Sequence, residues 1–240
     1  MGWHRELLIG FDLETTGTDP RAARIVTAAV IEVKDGEPAG RREWLADPGV
    51  VIPAEAVAVH GISNERAAAE GRPADQVADA VADVLTGYWK SGVPVVAYNA
   101  AFDLSLLSAE LRRYGLPSLS DRLGGAEPGP VVDPYTIDRW ADRYRRGKRT
   151  LEAVCTEYGV VLDSAHDASA DALAAARLAR AIAGRHPKVA ALGPAELHRR
   201  QIEWYAAWAA DFQSFLRRKG DPTAVVDGRW PLRESAGERD

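Results

Sequence analysis

Four acidic residues and one histidine occur in three short motifs that are far apart in the chain. Asp12 and Glu14 lie in FDLETTG, Asp103 in YNAAFD, and His166 and Asp171 in HDASAD. Hydrolysis of a phosphodiester by paired divalent cations needs several carboxylates, because hard cations prefer oxygen ligands. It also needs a group that takes a proton from water near neutral pH, which is the usual role of histidine. The set therefore predicts a metal-dependent nuclease.

The spacing of Asp12 and Glu14 would place both carboxylates on one side of a strand. Side chains alternate along a strand, so residues two apart share a face. Two carboxylates at the end of an apolar strand repel each other, and burial raises that cost unless a cation neutralises them. The alternative is that the strand ends at Phe11 and that both acids are solvated loop residues.

The other two motifs lie near the starts of predicted helices. Asp103 follows Asn99 by four residues at a strand-to-helix junction, and sites in α/β sheets gather outside the carboxyl ends of strands. The alternative for Asp103 is an acid that stabilises the helix N-terminus. A five-residue step on one helix separates two side chains by about 140°, so His166 can meet Asp171 only from the preceding loop. Alternatively, His166 is a surface or capping residue and Asp171 is a solvated acid.

Bulk composition narrows the class of protein. No apolar run in the 240 residues approaches the length of about 20 that spans a bilayer, and a strand-like run begins almost at once, so we expect a cytoplasmic protein without a signal peptide or membrane contact. The single cysteine, Cys155, cannot form an internal disulfide and is predicted to be buried. The net charge of −5 argues against a protein that coats long stretches of nucleic acid. It is compatible with an enzyme that holds a few nucleotides, because bound cations supply local positive charge.

Strand-like runs alternate with helical ones after an early hairpin, which indicates an α/β domain with a mixed sheet covered on both faces. The hairpin turn is predicted at Asp35-Gly36, a favoured turn dipeptide. We assign this domain to residues 1–186. Residues 187–220 are predicted to form a linker and a C-terminal amphipathic helix packed on the domain, and residues 221–240 a tail that is partly disordered.

The predicted C-terminal helix has an apolar stripe with three-, four- and seven-residue steps. The stripe consists of Leu197, Trp204, Trp208, Phe212 and Phe215. We expect it to pack against the domain, and the alternative is a surface for a partner. The letters QSFL at 213–216 resemble sliding-clamp peptides, although so short a match arises readily by chance.

In this order the three motifs resemble the DEDDh family of 3′-to-5′ exonucleases, typified by the proofreading epsilon subunit of bacterial DNA polymerase III and related to ribonuclease T and oligoribonuclease. FDLETTG is similar to the family's first motif, NAAFD to its second and HDASAD to its third; AVHGIS and RTLEAVCTEYGV are also similar to family segments. The resemblance covers roughly residues 6–185. It implies the ribonuclease H-like fold, with a five-stranded mixed sheet flanked by helices, here followed by the C-terminal amphipathic helix.

The resemblance also implies a role for each site residue. Asp12 would bridge two Mg²⁺ or Mn²⁺ ions, and Glu14 and Asp171 would complete one metal site. Asp103 would hold the other ion, directly or through water. His166 would be the general base for the attacking water. The residues that would grip the terminal nucleotide are Thr15, Thr16, His60, Ile62 and Phe102. For the last three, core packing is the alternative, because side chains that stack on bases resemble core residues in sequence.

The function predicted from these residues is a Mg²⁺- or Mn²⁺-dependent exonuclease that releases nucleoside 5′-monophosphates from DNA 3′ ends, with a proofreading-like or repair role. An exoribonuclease that trims RNA 3′ ends is the alternative within the family. A catalytically idle interaction module is the alternative outside enzymes, although such a module gains nothing from clustered acids. The expected partner is a nucleic acid 3′ end, DNA being favoured over RNA, and a DNA polymerase or a sliding clamp is a further candidate.

Overall fold

The computed structural model describes residues 2–163 and 165–233. A six-stranded mixed sheet lies at its centre, with the strands in the order β4-β3-β2-β1-β5-β6. In chain order the strands are β1 (Leu8–Thr15), β2 (Ile25–Lys34), β3 (Glu37–Asp47), β4 (Arg72–Pro73), β5 (Val95–Val96) and β6 (Val131–Val132). β2 is antiparallel to both β1 and β3, whereas β5 and β6 extend the sheet parallel to β1.

Helices cover both faces of this sheet. A 3₁₀ helix at Trp3–Arg5 precedes β1. The α-helices are α1 (Ala54–His60), α2 (Asn64–Glu70), α3 (Ala74–Lys90), α4 (Ala100–Arg113), α5 (Leu119–Arg122), α6 (Pro134–Ala141), α7 (Leu151–Tyr158), α8 (Ala168–Arg185), α9 (Pro187–Ala190) and α10 (Pro194–Lys219). None of the helices in the described ranges is both long and apolar enough to cross a membrane.

The alternation of side chains along β1 divides the core into two layers. Ile9, Phe11 and Leu13 are buried in a cluster that includes residues of α3 and α4. Leu8 points to the opposite face and is buried in a second cluster that includes Leu178 and other residues of α8. β1 is therefore an inner strand covered on both sides, as its continuous apolar run predicts.

The predicted α/β fold with a mixed sheet is confirmed, and so is the hairpin between β2 and β3. Asp35 and Gly36 have φ angles of 54° and 87°, the left-handed conformations that a two-residue hairpin turn of this kind requires. The predicted number of five strands is wrong. The strand that was not predicted is β4 (Arg72–Pro73), a two-residue edge strand parallel to β3. Both of its residues are exposed, so its sequence has no apolar pattern.

Helix α10 packs on the domain through a side that overlaps only part of the predicted stripe. Its buried residues are Leu197, Gln201, Tyr205 and Ala209. Of the predicted stripe, Leu197 is fully buried, and Trp204 and Trp208 are partly buried against the two core clusters. Phe212 is 39% and Phe215 45% exposed. Gln201 is buried because its side chain provides hydrogen-bond partners for the main chain at β6: it accepts a hydrogen bond from the Asp133 amide (2.7 Å) and donates one to the Val131 carbonyl (2.9 Å).

The segments on either side of α10 also pack on the domain. Val189 of α9, in the predicted linker, is fully buried. Trp230, in the predicted tail, is 5% exposed, and its indole N–H donates to the Asp133 carboxylate at 3.2 Å. Residues 234–240 of that tail lie outside the described residues. Cys155 is buried, as predicted, and burial raises the pKa of its thiol to about 12.

Candidate active site

The position of α8 over β1 depends on Gly10. A Cβ atom at this residue would lie 2.2 Å from the Ala172 carbonyl oxygen, so only glycine allows the helix backbone to approach the strand this closely. Asp12 and Glu14 follow Gly10 at two-residue steps and therefore lie on the same face of β1. Asp171 directly precedes Ala172. The glycine contact thus brings the acid of α8 over the two acids of β1.

His166 lies in the loop before α8 and meets Asp171. Helix α8 begins at Ala168 because the Asp167 carboxylate caps it, accepting from the amides of Ser169 and Ala170. His166 has a left-handed backbone with φ 66°, and its amide donates to the Asp171 carboxylate at 3.3 Å. One ligand atom each from Glu14, His166 and Asp171 lies within 4.8 Å of the other two.

Asp103 reaches the same end of β1 from α4. The left-handed backbone of Asn99 (φ 62°) turns the chain from β5 into this helix. Asp103 is 4% exposed, and its carboxylate accepts a hydrogen bond from the Leu13 amide at 3.2 Å. Leu13 lies between Asp12 and Glu14 in β1. We refer to the four carboxylates Asp12, Glu14, Asp103 and Asp171 as the acid cluster.

The acid cluster is electrostatically unfavourable in the apoprotein. Burial and then the charges of Asp103, Asp171 and Glu14 raise the pKa of Asp12 well above its usual range. Burial and the charge of Asp171 raise the pKa of Glu14 to about 8. Burial also raises the pKa of Asp171 to about 6, against the opposing effect of its contacts with His166. Each group thus resists ionisation in the absence of a counterion.

The site fits a divalent cation. Oδ1 of Asp171 is buried and has no hydrogen-bond partner among the described residues, and such an oxygen costs free energy unless it is satisfied. A cation bound by Glu14 and Asp171 would satisfy it and offset the repulsion between the carboxylates. Carboxylate oxygens are the ligands that suit Mg²⁺ and Mn²⁺.

Of the residues predicted to grip a nucleotide, the two threonines stabilise the loop after β1. The Thr15 hydroxyl donates to the Gly17 carbonyl at 2.8 Å, and the Thr16 hydroxyl accepts from the Arg24 amide at 2.9 Å. Both side chains are partly exposed. The loop therefore has a fixed shape beside the acid cluster.

The other three predicted binding residues differ in their surroundings. Nδ1 of His60 accepts from the Ile62 amide at 3.1 Å, whereas its Nε2 is buried without a partner among the described residues. Burial lowers the pKa of His60, the nearby Thr15 main chain partly offsets this, and the charge of His166 lowers it further. Ile62 is 9% exposed and packs in a small apolar cluster. Phe102 is half-buried against the main core.

Sequence reasoning missed Asp133, a buried acid next to the site. Its carboxylate accepts from the Asn99 amide (2.9 Å), the Thr136 hydroxyl (2.8 Å) and the Trp230 indole (3.2 Å). It also caps α6 by accepting from the Tyr135 amide. Asp133 therefore fixes the turn that leads into Asp103. The signal was an acid before proline at the end of an apolar run, which is typical of a helix N-cap.

The raised pKa values predict how stability of the apoprotein depends on pH. Because Glu14 has a pKa of about 8 in the folded apoprotein and about 4.5 when unperturbed, the folded state holds this proton more tightly. The stability contributed by protonated Glu14 is complete below pH 4.5 and is lost as pH rises towards 8. In a chelator, Glu14→Gln should therefore become increasingly more stable than wild type as pH rises from 5 to about 8.

Urea unfolding at several pH values would measure this difference. Glu37→Gln is the matched control, because it makes the same substitution at a side chain that is 80% exposed. A difference between Glu14→Gln and wild type that stays constant or shrinks with rising pH would contradict the expected burial of this carboxyl.

The fold and the site together define a class of protein, the ribonuclease H-like nucleases that gather carboxylates at the end of a central strand. Within that class, the family model described as Exonuclease (RNase_T) matches residues 9–179, and the chain belongs to this family. The resemblance of its motifs to the DEDDh type of 3′-to-5′ exonuclease is thereby confirmed.

Known relatives include large polymerases. The chain is 28% identical over 169 residues to the PolC-type DNA polymerase III of Oceanobacillus iheyensis and 29% identical over 170 residues to that of Halalkalibacterium halodurans. Each match covers 70% of this chain but only 11% of the polymerase. The similarity therefore concerns one segment of those proteins.

Solved structures share the fold. E. coli exonuclease I in complex with a dT13 oligonucleotide has a TM-score of 0.62 and 20% identity, over 77% of this chain and 42% of that one. Exonuclease X in complex with 5′ overhanging duplex DNA has a TM-score of 0.56 and 22% identity, over 81% of this chain and 99% of that one. At this level of identity the comparison establishes the ribonuclease H-like fold.

Proposed function

We propose that this chain removes nucleotides one at a time from DNA 3′ ends and releases nucleoside 5′-monophosphates, in a reaction that requires two Mg²⁺ or Mn²⁺ ions. The observation that carries the proposal is the convergence of Glu14, His166 and Asp171 within 4.8 Å, directly over β1 and beside Asp103. A stable fold alone does not need acids that raise each other's pKa at one end of a strand.

Each residue has a proposed role. Asp12, Glu14 and Asp171 would hold the cations on the α8 side of β1, and Asp103 would approach from α4. Bound divalent cations would neutralise the carboxylates and stabilise negative charge that develops on the phosphate. His166 would accept the proton of the attacking water, and its exposed position allows that proton to pass to solvent.

The loop after β1 would bind the sugar of the terminal nucleotide. Thr15 and Thr16 hold this loop in a fixed shape next to Glu14. His60 would contribute to the same space, because the Thr15 main chain and the charge of His166 both act on its pKa. Ile62 would support His60 by packing beneath it, and Phe102 would contact the base. A pocket closed around a terminal sugar accepts a free 3′ end and rejects internal positions.

DNA is preferred over RNA in this proposal because of what similar proteins bind. The solved structures of exonuclease I and exonuclease X with the same fold hold DNA oligonucleotides, and the relatives in sequence are DNA polymerases. These relatives also support a proofreading-like or repair role, with a DNA polymerase as a candidate partner. The segment 213–216, which suggested a sliding clamp, is part of helix α10.

A substrate comparison tests the proposal. The protein would be incubated in Mg²⁺ with 5′-labelled linear single-stranded DNA, paired DNA, 3′-mismatched DNA, RNA and a circular single strand, with Asp12→Asn prepared in parallel to exclude a contaminating nuclease. We expect stepwise shortening of linear DNA from the 3′ side, with mononucleotides as products and an intact circle. Cleavage of the circle at the linear rate would mean an endonuclease, and faster degradation of RNA would favour the exoribonuclease.

A further inference from the structure

A cavity of about 540 Å³ lies next to the proposed catalytic residues. His166 and Asp171 line one of its sides. Residues 142–150 are here called the α6–α7 loop. Four of them, and the first turn of α7, also line the cavity; the four are Arg145, Gly147, Lys148 and Thr150. Its volume falls within the range of about 300–1,000 Å³ that is typical of pockets for small ligands. The space is therefore large enough for a nucleotide.

The α6–α7 loop is fixed in place by a buried acid. Asp138 is fully buried, and its carboxylate forms ion pairs with Arg145 (2.8 Å) and with Arg149. The Arg149 carbonyl also accepts a hydrogen bond from the Tyr98 hydroxyl at 2.7 Å. Since Tyr98 directly precedes Asn99, the loop is connected to the strand end that leads to Asp103. The wall of the cavity is thus part of the rigid structure.

Lys148 projects from this wall between the two anchored arginines. Its side chain lines the cavity and is exposed, and it forms no ion pair or hydrogen bond with any residue that the structure describes. The Thr150 hydroxyl lies nearby on the same wall, and one further acid, Glu152, lines the cavity with them. A cation that has no partner among the described residues, and that lines the same cavity as His166 and Asp171, is suited to bind a phosphate.

His166 lies next to both the cavity and the part of the site that contains His60. The charge of His166 acts on the pKa of His60, and so does the main chain of Thr15. His166 also lines the cavity that contains Lys148. A strand whose terminal nucleotide occupies the Thr15 side would continue past His166 and Asp171 into this cavity. The nucleotide that follows the cleaved bond on its 5′ side would then be opposite Lys148.

We propose that this cavity binds the penultimate nucleotide of the substrate strand, with Lys148 contacting its 5′ phosphate; the inference rests on the proposed function. A contact to the phosphate carries no information about the base, so it would act on any sequence. It would distinguish a polynucleotide from a molecule that has only one phosphodiester.

Two substrates separate this contact from the chemical step. One is a single-stranded oligodeoxynucleotide, and the other is the p-nitrophenyl ester of thymidine 5′-monophosphate, which has no phosphate beyond the bond that is cleaved. For Lys148→Ala, the ratio of kcat/KM on the oligonucleotide to kcat/KM on the ester should fall about five- to tenfold, through a higher KM. Lys148→Arg should restore most of the ratio because it retains the charge.

A binding measurement gives a second readout that does not depend on turnover. In chelator, Kd for a labelled oligonucleotide should rise about five- to tenfold in Lys148→Ala, and the slope of log Kd against log salt should fall by about 0.7. Lys90→Ala is the control. Lys90 is exposed and precedes β5, whereas Asn99 follows β5, so the two residues lie at opposite ends of this strand. The Kd of this control should match that of wild type.

The outcomes are distinguishable. Equal losses on both substrates, or an unchanged Kd and ratio in Lys148→Ala, would overturn the proposed contact even if the enzyme is an active exonuclease. If wild type hydrolyses neither substrate, the proposed function is wrong, and a rise in Kd for Lys148→Ala would still support a strand-binding site in this cavity.

Discussion

Asp12→Asn is expected to lower exonuclease turnover by about 10³-fold or more, and to leave the apoprotein as stable as wild type or more stable. Asp12 lies between Gly10 and Glu14 on the face of β1 beneath α8, and burial and four neighbouring acids raise its pKa. Asparagine has nearly the same shape but no charge to repel those acids. The substitution thus removes a metal ligand while relieving a cost to the folded state.

Steady-state rates on linear DNA and urea unfolding in chelator would measure the two effects of Asp12→Asn. Asp35→Asn is the matched control: Asp35 lies in the turn at the opposite end of β2, its side chain is 65% exposed, and asparagine tolerates its left-handed backbone. The control should keep wild-type activity. Activity of Asp12→Asn close to wild type, or wild-type turnover that persists in excess chelator, would contradict a role for Asp12 in metal-dependent hydrolysis.

The sequence was sufficient wherever a local pattern decides the structure. The apolar run of β1 predicts an inner strand, because a strand buried on both faces needs apolar residues. The dipeptide Asp35-Gly36 predicts a hairpin, because a left-handed turn favours these residue types. The strand at Arg72–Pro73 has no such sequence pattern. It pairs with Ala46 and Asp47 because the chain passes beside β3 on its way into α3, which is a matter of tertiary structure.

The buried side of α10 was only partly predictable from apolarity. Trp204 and Trp208 are more apolar than Gln201, yet Gln201 is the fully buried residue. The edge of β6 presents a main-chain amide and a carbonyl that need partners, and a glutamine side chain provides both an acceptor and donors. The requirement comes from the partner strand, so apolarity alone identifies Leu197, Trp204 and Trp208 as packing residues but not Gln201.

The residues of the candidate site were predictable, but their arrangement depends on features that a motif does not contain. Gly10 could have been recognised, because a glycine inside a strand indicates close approach of another backbone. The cavity beside His166 depends on the ion pairs of Asp138 with Arg145 and Arg149. Those pairs form only once the loop folds over α6, and nothing in their spacing predicts it.

Replacing His166 is expected to lower turnover by about 10²–10⁴-fold, the usual cost of losing a general base, while metal binding persists. The side chain is exposed, and the contact between this residue and Asp171 is made by the main-chain amide. The acid cluster therefore keeps its geometry when the imidazole is removed. Replacing His166 therefore separates the chemical step from metal binding, whereas substitutions in the acid cluster change both.

Two variants are needed because the backbone of His166 is left-handed, with φ 66°. Asparagine tolerates this conformation better than alanine does, and neither side chain replaces imidazole as a base. If the imidazole is the proton acceptor, His166→Ala and His166→Asn should lose activity equally, and both should bind Mn²⁺ with wild-type affinity in a calorimetric titration. A loss of activity confined to His166→Ala would mean that the loop conformation matters rather than the base. Turnover of both variants within a few-fold of wild type would contradict the general-base role and leave hydrolysis to the acid cluster.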